Sequence, residues 1–418
     1  MQFLRTLILI VLMWGCDTRE RTNPLDPRNP ASQGKPESPL LYSTHDSVYV
    51  SWSHLNFSDA HNFNIYRKIE GEGDFRLIAT LQPHLFSYWD LPCEYEKTRW
   101  YKISVGAENY ESEQSDPVET RPGPTYLWAT DRFNSTVTKY SHDGRHTVLR
   151  SGMFTEPYRI TTNPSNRSIL VTDLWDGRIK ILSEKGTLLN DNMQLIGLTD
   201  FAFDSLDDVV WATSYNFNTC ARFSFSGLKE LEKSIFNSPW YIALHTEANR
   251  VFVINDGQGE IIRMDYEGQA EFQKSGFEDF RAMAYDQERD RLWVSDLNRI
   301  TILENTLDDM RVLKRMTGFS RIDIIEIDAA NGDVWCIDYS DQVNESRVVK
   351  FTMDGDEYFA LQGFTDPRDL AVNPYNHHCF VAESSTGRLI ELDDNNGSHV
   401  AENQTKGNIA KIVVQWDR

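Results

Sequence analysis

Seven segments of this 418-residue chain, about 41 to 45 positions apart, share one aligned position that reads Thr161, Ala202, Ala243, Ala284, Glu326, Ala371 and Val413. Small or β-branched residues there suit a crowded strand, and Glu326 breaks the row. An unpaired carboxylate is costly to bury, so Glu326 must face a channel or a partner. Two residues earlier stand Arg159, Asp200, Tyr241, Ala282, Ile324, Asp369 and Lys411, with Arg281, Asp323 and Arg368 beside them. Mixed charge in one ring of positions can neutralise itself in ion pairs. It can also hold a small charged ligand or a peptide terminus through charge-assisted hydrogen bonds. A third chemistry is that of a hydrolase or lyase with convergent carboxylates at Glu326, Asp200, Asp323 and Asp369. Pairing of Glu326 with an arginine would favour a scaffold. Two acidic or amide groups beside it at metal-ligand distance would favour an enzyme.

Other chemistry finds little support in the residues. There is no nucleophile elbow, phosphate loop or zinc spacing. The Gly257-Gln258-Gly259 spacing lies between two strands and reads as a turn. Only His245 ends one of the aligned segments, and His377 and His378 fall in a turn. The segment ends Asn163, Asp204, His245, Asp286, Asp328 and Asn373 recur with the repeat, which favours turn capping by side-chain oxygens. Cys93, Cys220, Cys336 and Cys379 have no metal spacing and read as buried thiols, with a Cys336–Cys379 bridge left open. The expectation is therefore no catalytic residue, no metal site and no cofactor.

The element that positions these residues is a repeat. An apolar-aromatic-apolar-x-Asp motif recurs as Leu127–Asp131, Ile169–Asp173, Val210–Ser214, Val251–Asn255, Leu292–Asp296, Val334–Asp338 and Cys379–Glu383. Each copy is followed by a second strand and a turn. Glycine stands in that turn at Gly144, Gly186, Gly227, Gly268, Gly355 and Gly397, where a tight hairpin needs positive φ. The fifth copy reads Leu307-Asp308-Asp309 instead, which predicts a looser hairpin. Repeats of this length made of short strands predict a β-propeller with one blade per repeat. The segments Pro157–Asn163 and Pro367–Asn373 resemble the innermost strand of NHL-type propellers, in which Pro-x-x-Ile-Ala-Val-Asp precedes a Leu-Tyr-Val-Ala-Asp strand. The resemblance spans residues 124–418 and implies seven blades, with the final segment Asn408–Trp416 completing the first blade and closing the ring. Propellers of related folds include metal-dependent lactonases and lyases that work at the channel mouth, so the resemblance fixes architecture and not activity.

The N-terminal third reads differently. Residues 1–15 carry Arg5 and a short apolar core and end before Cys16, which predicts a signal peptide. Gly15-Cys16 after such a core resembles a bacterial lipoprotein signal, implying lipidation of Cys16 at the mature N-terminus. Residues 16–35 are proline-rich and charged, an extended tether. Residues 36–122 alternate as the strands of a small β-sandwich, as in Val48–Trp52, Phe63–Arg67 and Trp100–Val105. The order resembles a fibronectin type III domain, with Trp52 in the core and Arg99 where that family carries a tyrosine. Pro122-Gly123-Pro124 marks the boundary.

The chain is all-β in pattern, with formal net charge −21 and no arginine- or lysine-rich run. That composition argues against nucleic acid as a partner. The expectation is a monomer held in the bacterial cell envelope, on the periplasmic face or cell surface, and joined to the membrane through its N-terminal lipid. It would bind a protein, peptide or glycan through propeller and sandwich surfaces. The alternative is a propeller hydrolase or lyase.

Overall fold

The computed structural model describes residues 25–416 except 27, 30, 31, 56–59, 109, 343 and 406. The predicted signal segment, Cys16 and the first part of the tether lie outside the described residues. The chain divides into two compact units, one ending at Pro122 and one beginning at Gly123.

The first unit holds two sheets. Leu40–Ser43, Val48–Ser51 and Ser87–Asp90 form one, and five strands centred on Asn62–Ile69 and Arg99–Ala107 form the other. Alternation along these strands sends Val48, Val50, Phe63, Ile65, Tyr101, Ile103 and Val105 into a common core with Trp52, which is fully buried. Asp90 is a polar hub in this unit: it accepts from Tyr101 Oη at 2.5 Å and pairs with Arg67 at 2.7 Å and Arg99 at 3.2 Å. The arginine at the expected tyrosine position thus serves the hub that Tyr101 also joins.

The second unit contains seven four-stranded antiparallel sheets. Six are built from consecutive strands, with inner strands Pro157–Thr162, Leu198–Asp204, Pro239–His245, Phe280–Asp286, Ile322–Ile327 and Pro367–Val372. The remaining sheet takes three strands from residues 125–151 and its inner strand, Ile409–Trp416, from the chain's end. There Ile412 pairs with Ala129 and Val414 with Leu127. The motif strands are buried on both faces, because each sheet packs against two neighbours. One apolar cluster joins Leu170 and Ile179 to Val210 and Phe223 in the next sheet, and equivalent clusters follow. A cluster of Leu127, Ala129, Phe380 and Ile412 joins the last sheet to the first. Packing therefore runs round a closed circuit, and no motif strand is left with an open edge toward the axis.

The repeated motif has a mechanical explanation. In the second, fifth, sixth and seventh copies its terminal acid ties the sheet to the connection that enters it. Asp173 accepts from the backbone N–H of Thr155 at 2.9 Å and of Glu156 at 2.8 Å. Asp338 accepts from Ser320 and Arg321, and Glu383 from Thr365. One residue earlier, Thr213 Oγ1 donates to Trp240 O at 2.8 Å and Ser295 Oγ to Ile322 O at 2.8 Å, stitching each motif strand to the next inner strand. The segment-end residues cap turns: Asn163, Asp204, Asp328 and Asn373 accept from backbone N–H groups two residues on.

The hairpin of the fifth copy is not looser. Thr306 N–H donates to Asp309 O at 2.8 Å, and Thr306 Oγ1 accepts from Asp309 N–H at 3.1 Å. A threonine hydroxyl closes the turn that glycine makes elsewhere, where Gly144 and Gly186 adopt φ of 68° and 74°. Cys93, Cys220, Cys336 and Cys379 are buried free thiols. Cys336 and Cys379 belong to different apolar clusters and form no bridge.

Candidate functional site

Each inner strand starts at the same end of the circuit. Because the strands alternate in direction, the loops after the motif strands and the connections between sheets gather at that end too. A cavity of about 600 Å³ opens there. A second space of about 500 Å³ continues along the inner strands. Arg159, Tyr241, Arg281, Asp323, Arg368 and Lys411 line the first, and Asp200, Glu326 and Asp369 line the second. The fold thus brings all nine aligned residues to one channel.

The charges are arranged in two ways. Deep pairs link neighbouring inner strands. Arg159 Nε lies 3.0 Å from Asp200 Oδ1, and Asp200 also accepts from Ile242 N–H at 3.3 Å. Lys411 Nζ lies 2.7 Å from Asp369 Oδ1, whose Oδ2 accepts from Ile412 N–H at 2.8 Å. Burial pushes the Asp200 carboxyl up, opposed by the Arg159 guanidinium and the Ile242 N–H. Shallow pairs are local to one connection: Arg368 with Asp366 at 2.7 Å, Arg321 with Asp323 at 2.9 Å, and Arg281 with Asp279.

Glu326 meets neither condition set by its sequence position. Among the described residues it pairs with no arginine, and no group of three or more histidines, cysteines or acids is placed to hold a metal. It lines both the channel and the space of about 590 Å³ at the opposite end, so it stands between the two openings. Burial, then the neighbouring Asp369 charge, pushes its carboxyl up to about 8; the Val372 N–H and Lys411 pull the other way. At neutral pH its preferred form carries the proton.

Several mouth residues lack a signal in the aligned register. Tyr158 and Trp240 each precede an aligned residue and line the mouth. The Arg159 guanidinium lies 5.3 Å from the Tyr241 ring and 5.9 Å from the Tyr158 ring. Arg132 comes from the loop after the first motif strand, where it pairs with Glu156 and stacks 5.3 Å over Tyr158. Their common signal was position at the start of a strand or just after a motif, not the register two residues before Glu326. The cavity wall carries Arg132, Arg159, Arg281, Arg368 and Lys411 against Asp256, Asp279, Asp323 and Asp366, one cation in excess on a chain of net charge −21. Histidine is absent from the described residues of the wall: His245 packs at a tilt against Tyr285, ring centroids 5.6 Å apart, and lies 3.4 Å from Asp290.

Solved structures share the fold of the second unit. A functionally unknown protein from Desulfotomaculum acetoxidans is similar with a TM-score of 0.60 and 12% identity, covering 70% of this chain and 99% of that one. The β-propeller domain of Myceliophteria thermophila Cps50 (Swd1) is similar with a TM-score of 0.50 and 10% identity, over 62% and 90% of the two chains. The second unit is a β-propeller. A streptogramin B lyase is similar with a TM-score of 0.50 and 16% identity, over 61% of this chain and 86% of that one. At these identities the likeness extends to the fold alone. No protein family's sequence pattern matches the chain, and no curated protein matches it by sequence. No helix among the described residues is long and apolar enough to cross a membrane.

Proposed function

We propose that this chain is a lipid-anchored protein of a bacterial cell envelope that binds a protein, peptide or glycan partner without transforming it. In this reading Cys16 carries the lipid, residues 16–35 are the tether, residues 36–122 are a fibronectin type III-like sandwich, and residues 124–418 are a seven-bladed NHL-like propeller whose mouth is the binding site. The observation that carries it is the state of the acids that a hydrolase would need. Asp200, Asp323 and Asp369 are engaged by Arg159, Arg321 and Lys411, while the arginine side of the mouth keeps hydrogen-bonding capacity. Such a surface recognises charge and shape.

One observation favours the hydrolase or lyase reading. Glu326 holds its proton near neutrality, as a general acid must. Among the described residues, its lack of two further acids, histidines or cysteines placed with it to hold a metal speaks for the binding reading.

The test is photo-crosslinking from the mouth in envelope-bearing cells, with a benzophenone amino acid at Trp240. A discrete crosslinked species in the membrane fraction is expected. Turnover of ester or lactone substrates that disappears in Glu326→Gln would replace this reading with the enzymatic one.

A further inference from the structure

The mouth face carries a feature that the channel residues do not explain. Large apolar side chains stand exposed on successive loops of that one face. Phe133, Trp175 and Phe217 follow the first three motif strands, and Phe133 and Trp175 are 84% and 76% exposed. On the connections that enter the next sheets stand Ile196, 66% exposed and between Trp175 and Phe217, and Ile235, beyond Phe217. The loops are contiguous: Ser135 Oγ donates to Thr155 O, Ser214 Oγ to Ile196 O at 2.7 Å, and Asn218 Oδ1 accepts from Ser238 N–H at 2.8 Å. Trp240, packed edge-on against Tyr215 at 4.9 Å, carries the apolar arc to the cavity rim. Exposed apolar residues in a connected group mark an interaction site, whereas scattered ones do not.

At the inner end of this arc the arginines are under-used. Arg159 and Arg368 lie in ion-pair range of Asp200 and Asp366, at 3.0 Å and 2.7 Å from Nε, but among the described residues neither guanidinium makes a hydrogen bond, and the buried Arg159 Nε has no hydrogen-bond partner. A guanidinium fork with both outer nitrogens available matches a carboxylate in two parallel hydrogen bonds.

Resting on the binding reading above, we propose that the mouth face docks the C-terminal end of an apolar polypeptide segment. Its terminal carboxylate enters the cavity to meet Arg159 and Arg368. Its last apolar side chains lie along the arc from Trp240 toward Phe217 and Trp175. A glycan fits less well, because isoleucine offers no flat face for a sugar ring. A bilayer fits less well, because it cannot bring a carboxylate into the cavity, and the arc occupies only part of the circuit. Recognition of a chain end by captured carboxylate plus apolar contacts needs both halves of the site.

The experiment uses the tethered protein and a fluorescent library of short random peptides with free C-terminal carboxylates, run beside the same library amidated. Hits are expected to be apolar in their last residues and to lose roughly tenfold in affinity on amidation, the size of one charge-assisted contact. Arg368→Gln should cost a similar factor. Its guanidinium is exposed and locally paired, so the variant folds even if Arg159→Gln, which frees Asp200, does not. Trp175→Ser with Phe217→Ser should weaken the same peptides with the melting temperature unchanged. Hits that bind equally well as amides, or binding that survives both the arginine and the aromatic changes, would overturn the proposal. So would a protein that captures no carboxylate peptide yet binds neutral phosphatidylcholine vesicles through Trp175 and Phe217. Crosslinking at Trp240 without carboxylate dependence would reject this inference and leave the broader binding reading standing.

Discussion

Lys411 Nζ sits 2.7 Å from Asp369 Oδ1, joining the inner strand of the last consecutive sheet to the strand supplied by the chain's end. Both side chains are more than nine-tenths buried. A pair so placed adds little net stability, but removing one partner leaves a buried charge uncompensated. Lys411→Met should destabilise the propeller by about 3 kcal/mol. Adding Asp369→Leu should restore part of that, limited by the Ile412 N–H that loses its acceptor. Equilibrium urea unfolding of both variants checks the order; a double variant weaker than Lys411→Met would contradict it.

The same junction predicts the effect of truncation. Ile409–Trp416 pairs along the whole first motif strand, buries Ile409, Ile412 and Val414, and accepts the Trp128 indole N–H through Gln415 at 2.9 Å. Deleting residues 408–418 should expose the edge of Thr125–Asp131 and its apolar face. The expected outcome is aggregation, seen by size-exclusion chromatography with light scattering. A truncated protein as monomeric and stable as the parent would mean that closure contributes little.

How far the sequence carried the reading can be judged on particular residues. The motif at Ile169–Asp173 announced a strand because its apolar run and following turn repeat six more times. Glu326 announced itself by breaking a row of small residues. What the row could not supply was its neighbours. Position along a strand tells which residues approach the axis, but the partner of each depends on the rotation between sheets. Arg159 therefore met Asp200 across a sheet boundary, while Arg368 turned to Asp366 two residues away. The apolar arc was invisible for another reason. Phe133, Trp175 and Phe217 lie in loops, where an aromatic residue carries no periodic signal, and exposure decides its meaning. The fifth hairpin misled because glycine is one way to close a turn and Thr306 supplies a second.

Asp338, the acid at the end of its motif, should act as a clip. Asp338 Oδ1 accepts from Ser320 N–H at 2.8 Å and Arg321 N–H at 3.0 Å, and its other oxygen holds Arg347. Asp338→Ala leaves these donors without their acceptor and should cost about 2–4 kcal/mol. Asp338→Asn keeps one oxygen and should cost less. Hydrogen exchange at Ser320 and Arg321 offers a local readout: faster exchange at those amides is expected, and protection unchanged in Asp338→Ala would show that the clip is dispensable.

The pH dependence follows from Glu326. Its carboxyl has an ordinary value of 4.5 and is raised to about 8 in the fold, chiefly by burial and then by Asp369, with Asp328 adding to the rise and Val372 N–H and Lys411 opposing it. A raised folded value means that the protonated form is the one the fold prefers. Its contribution is fully present below pH 4.5 and is lost as pH climbs through about 8. A shift of that size would represent ~5 kcal/mol by linkage, but the side chain lines a channel open to solvent, so screening reduces the expected loss to about 2 kcal/mol. Glu326→Gln keeps the shape and removes the ionisation. The parent should lose stability relative to this variant between about pH 4.5 and about pH 8, with the two converging at the acid end and the difference constant above that window. Urea midpoints across that range measure the difference directly. Parallel curves for the two proteins would mean that Glu326 ionises freely in the fold and that the channel holds its charge without cost.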